Sequence, residues 1–185
     1  MRNINGIIKT KCENSLLFFT RYIFKENTGI KFEVAEFHKE LANILQQVYD
    51  GKIKRLIINI PPRYGKTELA VKMYISWCLA KNPRAKFIHL SYSDALALDN
   101  SSMTREYIMS DAFQKIWNLQ LKKDSQSQKK WYTTQGGGVY ATASGGAITG
   151  FGAGNGGAII IDDPLKLDDA LSDVRRSFIN NRYNT

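Results

Sequence analysis

Two short stretches of this chain hold residue types that could work together on a phosphate. The first is Arg63-Tyr64-Gly65-Lys66-Thr67, which follows the apolar run Leu56-Ile57-Ile58-Asn59-Ile60 and precedes Glu68-Leu69-Ala70-Val71-Lys72-Met73. A strand, a tight loop ending in Gly-Lys-Thr and a helix, in that order, suit the cradling of a nucleotide phosphate. Gly65 lets the backbone approach an anion with no Cβ in the way. Lys66 offers a mobile point charge to the β- and γ-phosphates, and Thr67 offers a hydroxyl to Mg²⁺. The start of the following helix aims N–H groups at the same anion. The loop departs from the pattern G-x-x-x-x-G-K-[ST] at its first glycine, where Ile60 stands. Pro61 and Pro62 have no N–H to donate, so the cradle is expected from residues 63 to 67.

The second stretch is Asp162-Asp163, after Ala158-Ile159-Ile160-Ile161. A strand ending in Asp-Asp-Pro is, taken alone, an ordinary solvated turn. Coupled to the earlier loop it reads as the metal and water side of a nucleotide-hydrolysing site. Asp162 is expected to hold Mg²⁺ with Thr67, and Asp163 to act as the base on the attacking water. Asp163 is shorter than the glutamate usual at such a position.

These residues need a scaffold to meet. The spacing predicts a helix over about 12–28, with mixed aromatic and basic residues. A clearer helix is predicted over about 33–50, where Val34, Phe37, Leu41, Leu45 and Val48 share a face and Gly51 ends it. Strands are predicted at about 55–60, 86–91, 139–143 and 158–162. Helices are predicted from the phosphate loop to about Ala80, from about Asp94 to Met109, and over about 168–181, where Asp168, Asp169 and Asp173 read as a helix start. Residues 122–130, KKDSQSQKK, read as an exposed polar loop. Residues 145–157 carry seven glycines. Strands alternating with helices predict an α/β fold with a mostly parallel sheet flanked by helices, the phosphate-loop NTPase class. Ligands of such sheets bind at the carboxyl ends of strands, where Lys66 and Asp162 can converge.

The 185 residues suffice for one sizeable core, and no apolar run approaches a membrane span of about 20 residues. The start has no clear signal peptide. Cys12 and Cys78 have no metal or redox spacing and read as idle thiols in a reducing cytoplasm. The net charge of +9 suits a polyanionic partner such as nucleic acid, or serves solubility alone. Basic residues gather at Lys52, Lys54 and Arg55, at Lys122, Lys123, Lys129 and Lys130, and at Arg175 and Arg176.

Several segments together resemble the large terminase subunit of tailed bacteriophages. They are Phe37-His38, the run from Tyr49 to Glu68, Ser91-Tyr92-Ser93, the stretch from Gly145 to Gly152, and Ile161-Asp162-Asp163-Pro164. The resemblance covers roughly residues 33 to 185. It implies a partial ATPase domain over 33–185 behind an N-terminal helical extension over 1–32. It also implies ATP and Mg²⁺ as cofactors and a motor that drives double-stranded DNA into a procapsid. The expected setting is the cytoplasm of a bacterial host, with no membrane, and the expected partners are a small terminase subunit, a capsid portal and sister subunits in a ring. Lys66, Thr67, Asp162 and Asp163 inherit the nucleotide and metal roles. Arg63 lies where related motors place an arginine near the γ-phosphate, and Arg105 is a rival for that role. Phe37 and His38 either approach adenine or form a core-edge pair, and His89 and the tryptophans Trp77, Trp117 and Trp131 read as structural. The family often carries a basic residue where this chain has Phe151. The family's coupling motif and nuclease carboxylates are not found before Thr185, so the chain is expected to be a fragment or a broken prophage gene, with its sheet incomplete. A helicase-like nucleic-acid ATPase and an inactive remnant are the other readings.

Overall fold

The computed structural model describes residues 4–144, 146, 150–165, 171–174, 176–177 and 181. The first helical stretch is two helices, α1 (Ile4–Asn14) and α2 (Leu16–Thr28), where one over 12–28 is predicted. Ser15 makes the break: its extended backbone caps α2, and its hydroxyl accepts from the Phe18 N–H at 3.1 Å. Cys12, Leu16, Phe19 and Ile23 fall on one stripe and are buried. α3 (Glu36–Tyr49) buries Leu41, Ala42 and Leu45, and the chain leaves it through Gly51 at φ 73°. These helices share one core with Trp77, whose indole N–H donates to the Cys12 carbonyl at 2.8 Å. Both thiols are buried and free; burial, with Glu13 adding to it, pushes the Cys12 thiol up to about 12, and burial raises Cys78 as well.

The loop at Gly65 runs into a π-helical turn, Glu68–Met73, continuous with α4 (Tyr74–Lys81). Then follow β1 (Lys86–Ser91), α5 (Asp94–Met109), α6 (Asp111–Trp117), β2 (Leu121–Gln126), β3 (Lys130–Thr133), β4 (Gly138–Ala143) and β5 (Ile159–Ile161). The strands form one sheet in the order β2-β3-β4-β1-β5. β1 lies parallel to both β4 and β5, while β2, β3 and β4 pair antiparallel. The fold is α/β with a mixed sheet, not the mostly parallel one predicted. The difference comes from residues 121–133, where a β2–β3 hairpin replaces the predicted loop. Its outer strand is polar because it is an edge: Leu121 is buried while Lys122 turns to solvent.

Alternation sorts the sheet into two faces. Phe87, Val139 and Trp131 point into the helical core, and the Trp131 indole donates to the Ser101 hydroxyl of α5 at 2.9 Å. On the other face Ile88, Leu90, Tyr132 and Tyr140 pack with Phe151. The predicted strand at 55–60 joins no ladder. Leu56, Ile58 and Ile60 turn into the core, Ile57 is 87% exposed, and residues 54–60 make no backbone hydrogen bond to another described residue. One apolar face was enough to make this segment extended, but no strand lies beside it among the described residues. β5 is likewise an edge and not a buried strand, with Ile159 59% and Ile161 42% exposed. The predicted helix over 168–181 lies largely outside the described residues. No helix among the described residues is long and apolar enough to cross a membrane.

Candidate functional site

The loop and the acid pair meet in one crevice. The Thr67 hydroxyl donates to an Asp162 carboxylate oxygen at 2.8 Å. Lys66 Nζ lies 2.5 Å from Asp163 Oδ1 and 3.5 Å from Asp162 Oδ1. Burial works against the Lys66 charge, but the Asp163 hydrogen bond and both carboxylates overrule it, and the ammonium is held above its ordinary value. Asp162 is buried at the end of β5, where its backbone N–H donates to Leu90 of β1 at 2.8 Å. The sheet thus fixes Asp162, while Asp163 turns away at φ 45° into the left-handed region.

The loop is shaped by two more left-handed residues, Arg63 at φ 70° and Gly65 at φ 72°. At Gly65 a side chain would also crowd His38 Nε2 and the Phe32 ring, each 3.3 Å from where its Cβ would stand. His38 clamps the loop from α3. The Ala35 N–H donates to its Nδ1 at 3.0 Å, so the proton sits on Nε2, which donates to the Tyr64 carbonyl at 2.9 Å. His38 therefore has both ring nitrogens engaged, while its ring lines the aromatic cavity beside Phe37.

Two cavities flank the loop and share Arg63 and Gly65. One, of about 400 Å³, is lined chiefly by Phe32, Val34, Phe37, His38 and Tyr64. The other, of about 690 Å³, is charged, with Lys66, Thr67, Glu68, Lys72 and Asp163 on its walls. Glu68 and Lys72 escaped the sequence reading, although their i, i+4 spacing behind the loop was a signal; they pair at 3.1 Å. Arg63 reaches both cavities, whereas Arg105 lies half-buried on α5 and lines neither. His89 is buried in β1, and burial holds its imidazole below its ordinary value, against the pull of Asp162. Trp77 and Trp131 are fully buried, and Trp117 packs on Phe19 and Phe113.

Thr67 and Asp162 present hard oxygen donors 2.8 Å apart. No group of three or more His, Cys, Asp or Glu side chains able to hold a metal exists among the described residues. That donor set suits Mg²⁺, which takes one or two protein oxygens and completes its shell with water and phosphate. Comparison of the chain with known protein families finds no match, and no curated protein sequence matches it.

Proposed function

We propose that this chain binds and hydrolyses ATP with Mg²⁺, as the ATPase part of a terminase-type motor that moves double-stranded DNA. The observation that carries the nucleotide reading is the meeting of Lys66 and Thr67 with Asp163 and Asp162 across 97 and 95 residues of chain. An ion pair and a hydrogen bond between residues this far apart in sequence converge beside a charged cavity lined by the loop. Lys66 exchanges Asp163 for the β- and γ-phosphates. Thr67 and Asp162 hold Mg²⁺, which when bound neutralises charge on the phosphates. Asp163, released from Lys66 and more than half exposed, is the acid positioned to take a proton from water. Arg63 sits between the two cavities and stabilises charge at the γ-phosphate. The aromatic cavity beside Phe37 and Tyr64 has the apolar character a purine ring needs.

The packaging setting is supported by the order of the motifs along the chain and by the net charge of +9. In that setting the small terminase subunit, the portal and sister subunits in a ring are partners, in a bacterial cytoplasm. Titration of Mg·ATP into the folded protein by calorimetry tests the nucleotide reading. Binding is expected, and Lys66→Ala should abolish most of it. Equal heats from both proteins would remove the loop from nucleotide chemistry.

A further inference from the structure

The sheet face turned away from the helices carries a second concentration of positive charge. Pairing puts Lys130 beside Tyr140, and Lys86 and Tyr132 on either side of Gly138. Residues at these positions share one face of the pleat. Phe151 lies across Tyr132 and Tyr140, with ring centroids 5.7 and 5.8 Å away, and is only 6% exposed. Four ammonium groups stand over this aromatic floor. Lys122 and Lys130 lie 5.8 and 5.5 Å from the Tyr132 centroid, and Lys129 lies 5.9 Å from that of Tyr140. Lys86 and Lys130 lie 6.0 and 5.9 Å from the Phe151 centroid.

Among the described residues none of these four lysines forms a salt bridge, whereas Lys9, Lys39, Lys52, Lys66 and Lys72 all do. Asp94, which feels the charge of Lys129, is already engaged by the Ala143 N–H at 2.7 Å and the Thr142 hydroxyl at 3.0 Å. Cation–π contacts hold the lysines in place without cancelling their charge.

The kind of ligand follows from the arrangement. Phe151 is buried and tilts across Tyr132 and Tyr140, and ammonium groups stand near all three rings, so positive charge is the main feature this face offers a ligand. Lysine is a point charge without the planar fork that reads a base edge. What remains is attraction to a repeated anion, without sequence or base preference. A duplex presents one charge per about 1.7 Å of axis, more densely than a single strand.

We propose that the Lys86, Lys122, Lys129 and Lys130 face binds the phosphate backbone of double-stranded DNA. The choice of DNA over other polyanions rests on the motor reading above, but the surface and its residues are separate from the nucleotide crevice.

The test is fluorescence anisotropy with a short labelled duplex of mixed sequence, across a salt series. The wild-type protein should bind, with log affinity falling linearly in log salt. The triple variant Lys122→Gln, Lys129→Gln, Lys130→Gln should flatten that slope by about 2 to 3, because each lysine releases roughly 0.9 counterion. A control, Lys9→Gln, Lys25→Gln, Lys39→Gln on the helices, loses the same charge and should keep the slope within about 1. If the triple variant does not fold, Lys129→Gln alone should flatten the slope by about 0.9. The proposal is overturned if the control loses as much as the face variant, or if wild type shows no salt-dependent duplex binding. It is equally overturned if polyglutamate displaces the duplex at equal charge concentration. Lys66→Ala should bind DNA like wild type. If Mg·ATP binding is absent from wild type while the face variant still loses DNA, the nucleotide reading falls and this one stands.

Discussion

The proposed nucleotide crevice and the lysine face lie on one sheet, yet they hold positive charge in opposite ways. In the crevice Lys66 is matched by two carboxylates, at 2.5 and 3.5 Å. On the face Lys86, Lys122, Lys129 and Lys130 rest on aromatic rings. A charge already paired is won only by exchange. An anionic ligand there would have to displace Asp163, and a metal would compensate the carboxylates left behind. Such a site selects by geometry. A charge lying on rings still projects its field into solvent, and a site of that kind selects by charge density and is screened by salt.

The largest effect should separate chemistry from binding within the crevice. Asp163→Asn should lower ATP turnover by about 10²–10⁴ if Asp163 is the base. It should leave Mg·ATP affinity intact or slightly tighter, because Lys66 loses its competing partner. Steady-state hydrolysis and calorimetry on the same preparation check both, and unchanged turnover would assign the base elsewhere. Next, Lys66→Ala should weaken Mg·ATP on the order of 100-fold, the loss of charge-assisted hydrogen bonds worth about 1.5–3 kcal/mol. A loss of DNA binding in the same variant would collapse the distinction between the two regions.

A smaller effect is expected at the clamp. His38→Ala orphans the Ala35 N–H and the Tyr64 carbonyl, and should cost about 1–3 kcal/mol in chemical denaturation. It should weaken nucleotide binding and spare the lysine face, since His38 holds the loop and lines the aromatic cavity beside it. An equal fall in DNA affinity would show that the clamp serves the fold as a whole.

The smallest effect concerns the scaffold shared by both regions. Burial holds the His89 imidazole below its ordinary 6.5. The unfolded chain takes up that proton first, so stability is full above about 6.5. It falls as pH drops from there toward the lower folded value, by at most about 1.4 kcal/mol per pH unit. His89→Phe should remove this acid sensitivity, measured as denaturation midpoint against pH. Because the whole sheet is loosened, nucleotide and DNA binding should weaken together in acid.

Much of the local structure was legible. The helix predicted from about Asp94 to Met109 formed as α5, Asp94–Met109, with Ser93 as its cap. The run from Lys86 to Ser91 reads as a strand and is one. The helix predicted to reach about Ala80 ends at Lys81, with Asn82 at its cap. Three features were not legible. Ser15 splits the first helix because a single capping hydroxyl outweighs the continuing apolar stripe. The β2–β3 hairpin looks like a loop because an edge strand needs few apolar residues. The run at 55–60 looks like a strand because its pattern is one, yet it pairs with nothing described.

By itself the sequence determined which side chains could cradle a phosphate, where several helices begin and end, and where most of the apolar strand runs lie. Those are local properties, set by capping groups, by the 3.6- and 2-residue periods and by side-chain chemistry. Tertiary structure alone decided that Lys66 rests on Asp163, that His38 has no nitrogen left for a ligand, and that four scattered lysines share one aromatic floor. Each of these depends on partners brought together from distant parts of the chain. Strand order and register settle such meetings, and no periodicity within a single segment encodes them.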